Sequence, residues 1–125
     1  MRREPLFTPA FGLCALANFA QSLSFNLYLH LPGFLHGLGA SEVQIGLLFG
    51  ATAAAAIAVR PPLARAIDRG HRRRLALAAA AASTIVCALY LRVDGLGAWI
   101  AAVRIAHGFA EATLFTVLFV LAADL

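Results

Sequence analysis

Long stretches of the sequence carry no charge, and they limit what this chain can fold into. No Asp, Glu, Lys or Arg occurs from Leu6 to Leu35, nor from Leu75 to Leu91. An apolar helix of about 17–25 residues spans the hydrocarbon core of a bilayer. The chain is also 62% hydrophobic and 13% charged, whereas soluble domains contain about 45–50% apolar residues. These features indicate an integral membrane protein.

Turn and capping signals divide the chain into helices. Pro32-Gly33 interrupts the first apolar stretch, and Asp94-Gly95 precedes the last. Ser41 and Gln44 form a capping-box pattern, in which each side chain can bond the backbone amide of the other residue. The sequence therefore predicts an all-α integral membrane fold and one membrane domain over residues 1–125, with four transmembrane helices at about 6–35, 42–63, 75–91 and 96–123 and a cytoplasmic loop at 64–74.

The arginines are distributed unevenly between the two sides of the predicted membrane domain. One side has Arg2, Arg3 and five arginines after the second helix, whereas the other has Arg92 alone. Because positive residues stay in the cytoplasm, both termini and the loop at 64–74 are predicted to be cytoplasmic. All ten basic residues are Arg, which favours a bacterial source and hence a multi-pass protein of the bacterial inner (plasma) membrane.

The sequence gives no indication of an enzyme. It has no nucleophile paired with a base, no metal-ligand spacing and no glycine-rich phosphate loop, so neither a catalytic nor a metal site is predicted and no cofactor is expected. Cys14 and Cys87 each lie within an apolar run, where a cysteine is usually a small buried hydrophobe rather than half of a disulfide.

Six of the ten arginines fall in the fifteen-residue stretch RPPLARAIDRGHRRR, from Arg60 to Arg74. Nucleic-acid binding is not expected, because the stretch has no aromatic residue to stack on bases and both its ends lead into spanning helices. A topology signal, with contact to anionic headgroups of the lipid bilayer, explains the last three arginines. It does not explain Asp68.

The same stretch resembles a motif of the major facilitator superfamily of secondary transporters. In that family the loop between helices two and three commonly reads R-P-L-A-G-R-L-A-D-R-x-G-R-R-R, and Arg60 to Arg74 follows this pattern without a gap. Ala64 replaces the usual Gly, and Gly70-His71 inverts the usual order. Arg104 to Gly108 is similar to the R-x-x-q-G motif of the family's fourth helix, and Leu38 to Gly46 to the entry of its second.

The resemblance implies a fold and a gate. Complete members have about twelve spanning helices, so this chain resembles the first third of that fold, and its partner is a C-terminal half or another chain. The resemblance also implies that a charge cluster closes the cytoplasmic side by linking the two halves of the transporter. Its members are Asp68, Arg65, Arg69, Arg72 and Arg73.

Polar residues form stripes on two of the predicted helices. Arg104, His107, Gly108 and Glu111 follow helical spacing on the fourth, where ionisable groups within hydrocarbon usually indicate function. The first helix carries a similar stripe of Asn18, Gln21, Ser22 and Asn26. In the major facilitator superfamily, which this chain resembles, helices one and four line the transport cavity. A structural ion pair on the fourth helix, and ordinary interhelical hydrogen bonds on the first, are the alternatives.

Small residues recur every fourth position on the second helix, at Gly46, Gly50 and Ala54. Such a small-xxx-small stripe lets a neighbouring backbone approach closely, so we expect a helix-packing face.

Together these features predict a secondary active transporter, or an N-terminal fragment of one, that exports a small solute such as a drug or sugar in exchange for protons. The preference for export rests on the likeness of the fourth-helix motif to that of drug and sugar efflux members. Two alternatives stay open. One is a self-contained four-helix multidrug exporter that works as a dimer, although the first helix has no carboxylate for that role. The other is an inactive truncated membrane protein.

Overall fold

The computed structural model describes residues 8–124, and all regular structure within that range is helical. The predicted all-α fold is thereby confirmed. Two short 3₁₀ turns, Tyr28–His30 and Tyr90–Arg92, extend the helices that precede them. The six α-helices are α1 (Pro9–Leu27), α2 (Leu31–Gly37), α3 (Glu42–Ala58), α4 (Arg60–Asp68), α5 (Arg72–Leu89) and α6 (Ala98–Ala123).

The last helix, α6, lies at the centre of the bundle. It packs against α1, α3, α4 and α5, and its buried side chains form a nearly continuous stripe along its length. Many large apolar side chains on the other helices point outward and stay exposed. This inverts the pattern of a soluble protein and suits a lipid environment.

Within residues 8–124, three helical segments are long and apolar enough to cross a membrane: Glu42–Asp68, Arg72–Arg92 and Ala98–Ala123. The first of the four predicted spans is not among them. Its helix, α1, has 19 residues, but Asn18, Gln21 and Asn26 lower its hydropathy. Polar groups in such a helix are tolerated where they face protein rather than lipid.

The first helix begins and ends differently from the prediction at residues 6–35. Thr8 caps α1 by accepting a hydrogen bond from the Phe11 amide at 3.1 Å, while residue 6, like Arg2 and Arg3, lies outside the described range. The 3₁₀ turn at Tyr28–His30 then separates α1 from α2. Pro32 lies in the first turn of α2, where its missing amide hydrogen costs little.

The capping box predicted at Ser41 and Gln44 is confirmed. The Gln44 amide donates to the Ser41 hydroxyl at 3.3 Å, and the Ser41 amide donates to the Gln44 side chain at 2.9 Å. These bonds satisfy amides that have no partner within the helix, and thus fix the start of α3.

The loop predicted at 64–74 is shorter in the structure, because the arginine-rich stretch is mostly helical. The helix α4 continues to Asp68, and α5 begins at Arg72. Leu63 and Ile67, one turn apart, are buried against Val117 of α6, so their packing holds α4 in place. Gly70 makes the turn with a φ of +80°, a conformation that glycine adopts readily.

The predicted packing face at Gly46, Gly50 and Ala54 is not used among the described residues. All three are exposed, and a Cβ added at either glycine would meet nothing within 4 Å. The opposite side of α3 faces α6 instead, with Ala55 buried. The close approach is made by Gly108 of α6, where an added Cβ would lie 2.2 Å from the Thr52 carbonyl oxygen. Larger apolar side chains beside the small residues orient α3.

Candidate functional site

A cavity of about 560 Å³ lies among α1, α3 and α6. The ionisable residues predicted on α6 line it, namely Arg104, His107 and Glu111. Their exposed fractions are only 3%, 4% and 8%. Burial of polar groups is costly unless they are hydrogen-bonded. Each of these three residues is therefore expected to have hydrogen-bond partners.

The Glu111 carboxylate is held by one residue from α1 and one from its own helix. Gln21 Nε2 donates to Glu111 Oε2 at 2.6 Å, and both side chains are buried. His107 Nε2 lies 3.3 Å from Glu111 Oε1, one helical turn away. The two carboxylate oxygens therefore have different neighbours, and the amide of Gln21 joins α1 to α6.

Tyr90, at the end of α5, connects His107 to Arg104. Its hydroxyl lies 3.3 Å from Arg104 Nη1 and 2.9 Å from His107 Nδ1. A guanidinium can only donate, so the Tyr90 oxygen accepts from Arg104 and the hydroxyl proton is left for His107 Nδ1. A neutral His107 then carries its own proton on Nε2, the atom that faces Glu111.

Arg104 and Glu111 are not an ion pair in this structure. No carboxylate lies within 4 Å of the Arg104 guanidinium among residues 8–124, and its Nε atom has no hydrogen-bond partner there. The guanidinium carbon lies 4.4 Å from the centre of the Phe49 ring, a cation–π contact. The structural ion pair, one of the two alternatives for these residues, is therefore not formed here; Tyr90 and His107 lie between Arg104 and Glu111 instead.

Aromatic rings form much of the remaining wall. The Tyr28 ring meets His107 edge to face, with ring centres 4.2 Å apart, and Phe25 meets Phe115 in the same way at 6.2 Å. Phe25, Tyr28, Phe49 and Phe115 all line the cavity. The site therefore combines apolar walls with one row of polar groups, as small-molecule sites commonly do.

Of the four polar residues predicted on the first helix, the structure brings only Gln21 to this network. Asn18 and Asn26 instead donate to carbonyls of α1 itself, those of Cys14 and Ser22. Asn26 is exposed and Ser22 half-buried, and neither lines the cavity. The broad polar face thus contributes one side chain, because only that position points at α6.

The predicted cytoplasmic gating residues lie at the other end of the bundle. Asp68, Arg65, Arg69 and Arg73 are exposed, and none forms an ion pair with another described residue. Arg72, at the start of α5, pairs with Asp124, just beyond the end of α6. The structure therefore joins one member of the cluster to a carboxylate that the motif does not include.

Sequence reasoning missed Tyr90, Phe49 and Asp124. Tyr90 stands just before Arg92 at a helix end, where aromatic residues usually mark the membrane interface, so nothing in its position predicts a buried hydrogen bond. Phe49 is one of nine phenylalanines and carries no distinguishing signal. Asp124 pairs with Arg72 only because α5 and α6 are antiparallel neighbours, which their short connection does indicate.

Among the residues described here, no three His, Cys, Asp or Glu side chains are arranged to hold a metal ion.

Comparison with known proteins gives one result at the level of family. The profile described as Major Facilitator Superfamily matches residues 11–125, almost the whole chain. No curated protein and no solved structure gives a significant match.

Proposed function

This chain belongs to the major facilitator superfamily, and on that premise we propose that it is all or part of a secondary transporter that couples the movement of a small solute to protons. The proposal places solute binding in the cavity among α1, α3 and α6, and proton binding at Glu111. A second half, from the same chain or another, would complete alternating access, since such transporters rock one bundle against another.

The proposal rests on the burial of Glu111 in the wall of the cavity. Glu111 is a carboxylate 8% exposed on a helix apolar enough to span a membrane, and it lines the cavity. Such a group is retained within a membrane mainly where it works on an ion or solute pathway. The two oxygens of Glu111 contact Gln21 of α1 and His107 of α6, so a proton bound or released there would act directly on both neighbours.

The chain of contacts from Glu111 supports a proton pathway. A proton that reaches Glu111 cancels the charge facing His107 Nε2, 3.3 Å away. His107 is in turn linked to the Tyr90 hydroxyl at 2.9 Å, so a change at the carboxylate alters every member up to Arg104. Protonation of Glu111 would thus change the contacts of His107, Tyr90 and Arg104 in turn, along the wall of the cavity and without movement of the helices.

The direction and the gate are further parts of the proposal. We place Asp68 and its neighbouring arginines on the cytoplasmic side of a plasma membrane, with the N-terminus on the same side. The pair between Arg72 and Asp124 would hold α5 and α6 together there, while Asp68 is left for a partner in the second half. The direction that the fourth-helix motif favours is export.

The test compares Glu111→Gln with Glu42→Gln in the complete encoded protein, reconstituted in liposomes. Glu42 is the matched control because its carboxylate is exposed and lies outside the cavity. Three probes are offered under an imposed pH gradient. Each has an apolar body, and they carry an anionic, a neutral and a cationic group respectively. We expect Glu111→Gln to lose proton-driven accumulation of the transported probe but to keep solute exchange, and Glu42→Gln to keep both.

Two other results would contradict the proposed role of Glu111. If Glu111→Gln still accumulates a probe against its gradient when protons drive it, Glu111 is not the coupling site. Loss of both accumulation and exchange with a lowered melting temperature would assign Glu111 a structural role instead.

A further inference from the structure

We propose that the cavity selects an organic carboxylate with an apolar, preferably aromatic, body, and that Arg104 binds its carboxylate. The inference rests on the proposed transport function, because it specifies the solute of that same cavity. Its starting point is the contrast between the two charged residues on α6: Glu111 has partners on both oxygens, and Arg104 has no counter-ion among the described residues.

A buried guanidinium without a carboxylate is an unusual arrangement. Arg104 is 3% exposed, and its only described hydrogen bond from the side chain is the one from Nη1 to Tyr90 at 3.3 Å. Buried charges are normally paired, since the desolvation of a lone charge is strongly unfavourable. The cavity that Arg104 lines is therefore incomplete in charge, and an anion would complete it.

We place the anion at the edge of Arg104 that carries Nε. Phe49 covers one face of the guanidinium, so further hydrogen bonds must come in the plane of the group. Its Nε atom is buried and has no partner within residues 8–124. Nε and Nη2 form an edge that can donate two parallel bonds to a carboxylate, the arrangement in which arginine binds such groups best.

The charges around the cavity favour an anion over a cation. Arg60 and Arg104 line it, and Glu111 is the one carboxylate that the described part of the chain contributes to the lining. Glu111 also has less to offer a cation, because Gln21 already donates to one oxygen and His107 lies beside the other. Protonation of Glu111 would increase the positive excess further, so proton binding and anion binding should reinforce each other.

The walls define the rest of the solute. The volume of about 560 Å³ falls in the range of sites for small organic molecules. Phe25, Tyr28, Phe49 and Phe115 supply aromatic surface against which a flat apolar body can pack. Inorganic anions and highly hydroxylated solutes would leave these walls without contacts.

The experiment measures equilibrium binding of three probes of the same shape to the complete encoded protein in lipid nanodiscs. The probes are naphthoate, its neutral amide and naphthylmethylammonium. We expect naphthoate to bind about tenfold more tightly than the amide, the difference that one charge-assisted hydrogen-bonded contact produces, and the ammonium probe to bind most weakly.

Arg104→Gln should remove the preference for naphthoate over the amide, and Arg104→Lys should retain part of it. Arg92→Gln is the matched control, because Arg92 is exposed and lies outside the cavity lining, and we expect it to keep the preference. Melting temperatures of all variants identify any that fail to fold, and the comparison of the three probes on the unmodified protein needs no variant.

Three results would overturn the inference: equal binding of naphthoate and amide, tightest binding of the ammonium probe, or no measurable binding of naphthoate. The transport assay distinguishes failure of this inference from failure of the proposed function. Proton-driven accumulation of a neutral or cationic probe without carboxylate preference would sustain the transporter and reject its assigned solute. Carboxylate-selective binding without proton-driven movement would sustain the assigned solute and reject proton-coupled transport.

Discussion

At Gly108, α6 approaches the backbone of α3 closely. The Thr52 hydroxyl donates to the Arg104 carbonyl at 3.1 Å and also lies 3.0 Å from the Leu48 carbonyl of its own helix. That bond crosses between the two helices one turn before Gly108. Because the bond joins the Thr52 side chain to the backbone of Arg104, it fixes the height of Arg104 within the cavity as well as the distance between the helices.

We expect Gly108→Ala to destabilise the protein by about 1–3 kcal/mol, as overpacking of a close contact typically does. The added Cβ would lie 2.2 Å from the Thr52 carbonyl oxygen, and backbone cannot turn aside as a side chain can. Gly46→Ala is the control, since a Cβ there meets nothing within 4 Å and alanine favours a helix. Thermal denaturation in detergent measures both, and equal melting temperatures would contradict the close contact.

At this scale, the sequence predicts that three ionisable residues of α6 share one face of the helix, but not which side chains contact them. Arg104, His107 and Glu111 share a face because of helical spacing, which follows from the order of the residues alone. Tyr90 and Gln21 reach them from other helices, and long-range contacts of this kind depend on the rotation of each helix about its axis. An ion pair between Arg104 and Glu111 is one alternative that their spacing leaves open, but in the structure Arg104 contacts Tyr90 and Glu111 contacts Gln21 and His107.

Among the elements, α4 shows most clearly how a charged sequence can still be a packed helix. Its arginines and Asp68 are exposed, while Leu63 and Ile67 are only 4% and 7% exposed. Counting charges predicts a loop here. The spacing of the two apolar residues, one turn apart, predicts instead a helix that lies with one face against α6.

Ile67→Ala should therefore destabilise the protein by about 2 kcal/mol or more, because it removes a buried side chain and leaves a cavity beside Val117. The control is Ile57→Ala, since Ile57 is 65% exposed on α3. The two variants are compared by thermal denaturation in detergent. If Ile67→Ala melts no earlier than Ile57→Ala, α4 does not depend on its contact with α6.

The other element boundaries show the same limit of sequence reasoning. The start of α3 is predictable to the residue, because a capping box involves only neighbouring positions. The end of α1 is not, since the 3₁₀ turn at Tyr28–His30 precedes Pro32 rather than following it. Local signals place helix starts well, whereas helix ends depend on how the next segment packs.

For the whole molecule, the unequal distribution of arginine determines the proposed orientation. The basic end contains Arg72 paired with Asp124, and the opposite end contains Arg92 and the turn at residues 93–97. With α5 and α6 antiparallel, the turns at residues 69–71 and 93–97 lie on opposite sides of a membrane that the two helices cross.

We expect His71→Cys to be protected from a membrane-impermeant thiol reagent in intact cells, and Gly95→Cys to be labelled. Both are made in a background with Cys14→Ala and Cys87→Ala, so that the introduced thiol is the only one in this segment. Disruption of the membrane should expose His71→Cys, which shows that the site itself can react. Labelling of His71→Cys from outside intact cells would reverse the proposed orientation.

In the described part of the chain α6 follows all the helices that it packs against, and this order has a consequence for biosynthesis. The described side chains that contact charged residues or the backbone of α6 all precede it in the chain; they are Gln21, Phe49, Thr52 and Tyr90. Arg72, which pairs with Asp124 just beyond the end of α6, also precedes it. A charged residue at the centre of a spanning helix, where Glu111 lies in α6, opposes insertion by about 2.5–3.5 kcal/mol. When the ribosome reaches α6, its partners are already synthesised. The helix can therefore leave the translocon into contact with protein rather than lipid, and its insertion and its docking become a single step.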